Sequence, residues 1–326
     1  MALSWFERRG RRPRPSSCRL VTQSNPRALP YGGCPLDFFA GVYYNEDMNY
    51  AEWNREWNRI KRRENEFLAR GRVKKDSILN NLIESKVPPG LQDKLDAAFA
   101  KAFELVFEKG TGVIEKTYDR EGIQRHFQNM TTDDRDNPFG SRRGLRYFAK
   151  RAGSSKKRNL MFSGASGIGL GFLGIGMPDI ALFTGTMLKG LYEIALHFGY
   201  DYDSPEEKYF ILKLIETSLS YGRELDDLND HLNDWLDASQ GGNSPALPED
   251  YDQSQQIRLA SAALSKELLY MKAIQMIPVA GAIGGAYDAI YMKKILRYAE
   301  LKYHRRFLLD AHTGNPSDDP NSPDIA

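Results

Sequence analysis

The feature of this chain that most limits its possible folds is an uncharged run at residues 160–178, nineteen residues long with six glycines. It closely follows residues 142–158, which carry eight basic side chains and no acidic one. An apolar run of this length is stable only where lipid or the rest of the protein covers it. The run and the basic segment before it therefore constrain both the fold and the surroundings of the protein.

A second uncharged segment, residues 273–287, shares this design and also contains several glycines. In both segments small residues recur four apart, a spacing that lets the backbone of another helix approach closely. We expect both segments to be helical and to form the centre of the fold. The residues assigned to helix packing are Gly167, Gly171, Gly174, Pro178, Pro278, Gly281 and Gly285.

Apolar residues recur at intervals of three or four through most of the remaining chain, whereas sustained alternation of β-branched residues is absent. The sequence thus predicts an all-α, multi-helix bundle built around the two glycine-rich segments. The clearest predicted helices cover about residues 48–75, 91–110, 180–199, 205–219, 223–237 and 255–277, with another after Pro278. The first of them has a narrow apolar stripe, from which we expect loose packing on the core.

Composition divides the chain into three parts. Residues 1–45 are rich in Arg, Pro and Gly and lack the spaced apolar residues that offset the entropy of ordering, so we expect them to be flexible. Residues 46–310 are predicted to form one helical domain, followed by a flexible acidic tail at residues 311–326. Because the chain has only two cysteines and no signal-peptide pattern, a cytosolic compartment is expected.

The basic segment is the strongest functional signal in the sequence. Its basic residues are Arg142, Arg143, Arg146, Lys150, Arg151, Lys156, Lys157 and Arg158. Each cation near an anionic lipid surface contributes about 1 kcal/mol of attraction, so these residues are predicted to contact lipid at the inner face of the cell membrane. Nucleic acid is a less favoured partner, because no nucleic-acid-binding motif accompanies the aromatic pair Tyr147 and Phe148.

The surroundings of the glycine-rich segments stay open at this stage. Nineteen helical residues span about 28 Å, just short of a ~30 Å hydrocarbon layer. Glycine also offers little apolar area to drive insertion. Peripheral or shallow membrane association is therefore favoured over a glycine-packed helix pair in a soluble core, and a true membrane span is the least favoured.

No pattern in the chain specifies a reaction. Residues 169–174 match GxGxxG, but no strand precedes them and no βαβ pattern surrounds them, so nucleotide binding is disfavoured. Asp226, Asp230 and Asp234 share one helical face, which is more typical of a solvated surface than of a metal site. We expect neither a cofactor nor a metal.

Several motifs resemble those of the EcsC family. They are GIGMPDI at residues 174–180, YEIA at 192–195, FGYD at 198–201, PEE at 205–207 and IPVAGAIGGA at 277–286. The resemblance covers about residues 87–309 and leaves out the first eighty or so residues and the acidic tail. It implies a bacterial, largely helical, membrane-associated protein whose namesake is encoded with an ABC transporter linked to secretion. It implies no reaction and no catalytic residues.

Two functional hypotheses follow. The preferred one is a non-enzymatic, membrane-associated accessory protein, with anionic lipid and a membrane protein such as an ABC transporter as partners. The alternative is a soluble helical hydrolase or metal-dependent enzyme in which Asp179, Glu193 and Asp288 meet at a helix junction. Carboxylates that border apolar segments can acquire the shifted pKa values that acid–base chemistry needs.

Overall fold

The computed structural model describes residues 50–72, 90–109, 112–115, 117–132, 146–147, 149–153, 177–238, 245–275 and 287–312. Within these ranges the regular structure is helical and contains no strand. The helices are α1 (Tyr50–Gly71), α2 (Leu91–Lys109), α3 (Gly112–Glu115), α4 (Arg120–Thr132), α5 (Met177–His197), α6 (Pro205–Leu219), α7 (Gly222–Asp237), α8 (Gln253–Gln275) and α9 (Tyr287–His312). The predicted all-α class is confirmed.

Local sequence signals set several of the helix boundaries. α6 begins at Pro205, as predicted, and the hydroxyl of Ser204 accepts a hydrogen bond from the Glu207 backbone N–H at 3.1 Å. α5 is followed by Gly199, whose φ of +87° lies in the left-handed region that favours glycine. These caps and turns place α5, α6 and α7 one after another with short connections.

α9 runs through the core of the bundle. Every residue from 298 to 308 is buried, and the helix packs against α1, α5 and α6. On the other side of α6, α8 packs against α6 and α2, while α5 also contacts α2 and α4. A helix that is covered on all sides has to find internal partners for every polar side chain that it carries.

The prediction that the first helix packs loosely is wrong. Trp53 and Trp57 of α1 are only 1% and 3% exposed, and the indole N–H of Trp53 donates to the Leu308 carbonyl at 2.9 Å. The apolar stripe is narrow, but it consists of large side chains that each bury a large apolar area. Packing of α1 on α7 and α9 therefore makes it part of the core.

Most of the two glycine-rich segments lies outside the described residues. Only their margins are described, namely the first turn of α5, the last turn of α8 and the start of α9. The predicted flexible parts, residues 1–45 and 313–326, lie outside the described ranges as well. The described helices form the bundle, and the central place of the glycine-rich segments in it stays a prediction.

Candidate functional site

The basic segment is partly described, at residues 146–147 and 149–153, where it makes short helical turns. Ala149 and Ala152 face inward and are buried, whereas Lys150 and Arg151 are exposed. This alternation fixes the orientation of the segment, with its small residues against the protein and these two cations toward solvent. The remaining basic residues of the prediction lie outside the described ranges: Arg142, Arg143, Lys156, Lys157 and Arg158.

Tyr147 holds the basic segment to α4. Its hydroxyl lies 2.6 Å from Nε2 of His126, and it also accepts a hydrogen bond from Arg151 at 3.4 Å. Burial, together with the positive charge of Arg151, lowers the pKa of His126. The imidazole is therefore held in its neutral form beside the arginine at neutral pH.

One ion pair joins the segment to α1, and Gly153 lies beside a residue of α9. Nε of Arg146 lies 3.5 Å from the carboxylate of Glu56, a fully buried residue of α1. At the other end of the segment, a Cβ added to Gly153 would lie 3.9 Å from the carboxylate of Glu300, which pairs with Arg63 at 3.3 Å. Arg146 and Tyr147 thus hold the start of the described segment to α1 and α4, and its end lies beside α9.

Large apolar side chains are exposed near the glycine-rich segments. Leu182, close to the start of α5, is 57% exposed, and Ile290, close to the start of α9, is 50% exposed. Each of these helices directly follows one of the two glycine-rich segments. Apolar surface is therefore available where the chain leaves each segment.

The three proposed catalytic carboxylates do not meet at one helix junction in the described part of the structure. Asp179 and Glu193 both belong to α5, fourteen positions apart, which corresponds to about 21 Å along the helix axis. Glu193 is buried, and its carboxylate lies 4.0 Å from the ammonium nitrogen of Lys189. Asp288 belongs to α9, and the surroundings of the Asp179 and Asp288 side chains lie outside the described part of the structure.

The predicted packing residues fall almost entirely on undescribed positions. Pro178 is the second residue of α5, in the first turn, where proline is well tolerated. The other six lie outside the described ranges: Gly167, Gly171, Gly174, Pro278, Gly281 and Gly285.

The acidic helix α7 uses several of its polar residues in contacts within the protein. Asp226 accepts two hydrogen bonds from Arg72, the residue after α1. Asp237 accepts two from Arg305, and Asn229 accepts one from Tyr298. Among the described residues no group of three or more His, Cys, Asp or Glu side chains is placed to hold a metal ion. The acidic face is in part an internal ion-pairing surface for α1 and α9.

A buried ionic network between α1, α7 and α9 is not anticipated by the sequence patterns. Nζ of Lys302 donates to Glu64 and to the side-chain oxygen of Asn233, each at 2.5 Å, and Nη1 of Arg305 lies 3.9 Å from Glu64. Burial alone would raise the pKa of Glu64, but the charges of Lys302 and Arg305 lower it below its ordinary value. The one available signal is that Glu56 and Glu64 lie on the same side of α1 as Trp53 and other core residues.

A second buried ion pair lies where α6 meets α9. Nη1 of Arg306 donates to Glu207 at 2.7 Å, and Tyr303 donates to the other oxygen of the same carboxylate. The guanidinium also stacks over the ring of Tyr200, 4.0 Å from its centroid. Glu207 and Tyr200 belong to the PEE and FGYD motifs, so these motif residues have a structural role in the core.

The aspartate of the FGYD motif belongs to a cluster around Arg120, at the start of α4. Nη2 of Arg120 donates to Asp201 at 3.0 Å and to Asp203 at 2.9 Å, and Nη1 pairs with Glu115. Tyr202 donates to Glu115 at 2.7 Å, and burial raises the pKa of its phenol. Three carboxylates around one guanidinium hold α3 and α4 to the turn after α5, and they leave no excess positive charge that could bind an anion.

No helix of the described ranges is both long enough and apolar enough to cross a membrane. Shallow membrane association, core packing and a membrane span of the glycine-rich segments stay predictions.

A family model described as the EcsC protein family matches residues 53–308 of the chain. The match begins within α1, so it extends further toward the N-terminus than the resemblance at residues 87–309. No curated protein and no solved structure matches the chain.

Proposed function

This chain belongs to the EcsC protein family, and we propose that it is a non-enzymatic accessory protein that docks on anionic membrane surfaces through its basic segment. The observation that carries the proposal is the orientation of that segment. Ala149 and Ala152 are buried against the protein, whereas Lys150 and Arg151 are exposed between them.

The attachment of the segment supports a surface role. Contacts of Tyr147 with His126 and of Arg146 with Glu56 fix the backbone on the protein, so the exposed cations are presented from an ordered scaffold. Preordered charges lose less conformational entropy on binding than charges on a mobile tail. At about 1 kcal/mol for each basic residue near the surface, the eight cations of the segment together suffice for reversible peripheral binding.

Apolar side chains supply a second contribution. Leu182 and Ile290 are exposed in the helices that follow the glycine-rich segments, and their burial in the headgroup region would add hydrophobic stabilisation. We propose shallow association at the inner face of the cell membrane, driven first by charge and then by these apolar contacts. A membrane protein partner, such as an ABC transporter, is part of the same proposal and rests on the family resemblance.

Vesicle co-sedimentation of the full chain tests the proposal. Vesicles of phosphatidylcholine with a minority of phosphatidylglycerol should bind the wild type at low salt, and K150E/R151E should weaken binding by at least about tenfold, because two attractive charges become repulsive. A matched control, R223E/K266E, changes the net charge equally at two exposed positions on α7 and α8. Equal loss in both variants, or no binding by the wild type, would refute docking through this segment.

A further inference from the structure

The outward face of α1 carries a second set of cations next to the basic segment. Arg55, Arg59 and Arg62 follow one another at intervals of four and three residues, so they lie on one side of the helix. Together with Asn58, which lies on the same side, they form an arginine stripe. The stripe borders an open groove of about 340 Å³, and the side chains of Arg55 and Arg62 are 64% and 73% exposed.

Each guanidinium group of the stripe has a carboxylate partner on the same helix, and the longest of these pairs joins Arg62 to Glu66 at 4.0 Å. Nη1 of Arg55 donates to Glu52 at 2.5 Å, and Nη1 of Arg59 donates to Glu56 at 2.9 Å. A guanidinium has five N–H donors in a planar fork, so one contact to a carboxylate leaves further donors for a ligand. The carboxylates thus steady the arginines without using up their donors.

Glu56 also connects the stripe to the basic segment. Its carboxylate is fully buried and lies between Arg59 of α1, at 2.9 Å, and Arg146 of the basic segment, at 3.5 Å. Because Glu56 serves two guanidinium groups, the four arginines here exceed their three carboxylate partners by one positive charge. Arg146 places the basic segment beside the arginine stripe.

We infer that the groove of the arginine stripe binds the phosphomonoester headgroup of an anionic lipid. Arginine forks recognise phosphate oxygens through paired hydrogen bonds, whereas lysine acts as a point charge. A phosphomonoester offers three unesterified oxygens and up to two negative charges, which matches several guanidinium groups along one groove. The inference rests on the proposed docking function and adds the class of headgroup that this surface selects.

Charge-conserving substitutions test the inference, because they remove the forks and keep the cations. Wild-type protein is titrated with vesicles that contain phosphatidic acid, a phosphomonoester, or phosphatidylglycerol, a phosphodiester, matched in zeta potential. We expect about tenfold tighter binding to phosphatidic acid, and we expect R55K/R59K/R62K to lose this preference while it binds phosphatidylglycerol as the wild type does. The control R223K/R258K, which changes exposed arginines of α7 and α8, should keep the preference.

The outcomes separate the two proposals. If the lysine variant keeps the preference, or if the wild type binds both lipids equally, the headgroup inference fails while docking stands. If the wild type binds neither vesicle, docking itself fails and the inference falls with it. If millimolar glycerol 3-phosphate displaces the protein from vesicles and the protein prefers neither vesicle, the groove binds a soluble phosphate. If the protein binds single-stranded RNA more tightly than vesicles, the groove binds nucleic acid. Either result overturns the lipid assignment.

Discussion

The ammonium nitrogen of Lys302 lies 2.5 Å from Oε1 of Glu64, across the contact between α9 and α1, and both side chains are buried. Asn233 of α7 bonds to both partners, and Arg305 approaches the same carboxylate. Glu64 is thus the carboxylate partner of Lys302, whereas Arg305 also pairs with Asp237 at 2.9 Å. The helix that supports the arginine stripe is held to the core by this network as well as by its tryptophans.

Removal of the anion should be costly. In E64Q the cations of Lys302 and Arg305 stay buried without their shared carboxylate, so we expect the free energy of unfolding to fall by about 3 kcal/mol. Urea unfolding measures the change. E66Q removes a half-exposed carboxylate from the same helix and should change stability by less than about 0.5 kcal/mol. Similar effects of the two substitutions would contradict the role given to Glu64.

The same network predicts a pH dependence at alkaline pH. Burial lowers the pKa of Lys302 to about 8, against the opposing charge of Glu64, whereas the ordinary value is 10.5. Between these values the unfolded chain holds a proton that the folded protein has released, so this group makes unfolding less favourable as pH rises. Compared with K302M, the wild type should gain about 1 kcal/mol of stability between about pH 8 and pH 9.5 in urea titrations. No relative gain over this interval would show that the lysine stays fully protonated in the core.

Much of the fold could be predicted from the sequence, because most helices combine a periodic apolar face with a terminal signal. The boundaries predicted at Gly199 and Pro205 agree with the structure within a few residues. The narrow apolar stripe of α1 predicts loose packing, because the width of a stripe does not reflect the size of its tryptophans. Helical spacing alone does not tell how closely two large rings pack against a neighbouring helix.

Less of the candidate site than of the fold could be predicted from the sequence. A run of cations is visible in a sequence, but which of them face solvent depends on contacts such as those of Arg146 and Tyr147. The buried charges of α9 cannot be predicted from the sequence, because charged residues are expected at surfaces. Their partners also lie more than sixty positions away along the chain. The arginine stripe of α1 follows from helical spacing, yet its continuity with the basic segment depends on Glu56, which only the fold places between them.

Gly199 should be intolerant of any side chain. Its φ is +87°, and a Cβ at this position would lie 2.3 Å from the ring of Phe127. Gly222 has a similar φ of +62° with nothing within 4 Å, so G222A isolates the cost of the backbone conformation, about 1 kcal/mol. We expect G199A to cost a further 1 kcal/mol or more, roughly, because the aromatic ring has to move. Thermal unfolding of the two variants gives the comparison, and equal costs would mean that Phe127 yields freely.

The contact between His126 and Tyr147 should make attachment of the basic segment sensitive to mild acid. Since burial and Arg151 lower the pKa of His126, the unfolded chain, or a chain with the segment released, takes up a proton that the folded form resists. The attached state therefore loses stability as pH falls through the ordinary histidine value of about 6.5 and below it. Hydrogen exchange of residues 146–153, corrected for intrinsic rates, should show faster opening at pH 5.5 than at pH 7.5. H126Q, which cannot take up the proton, should remove most of this difference, and an unchanged pH dependence in that variant would assign the effect to another group.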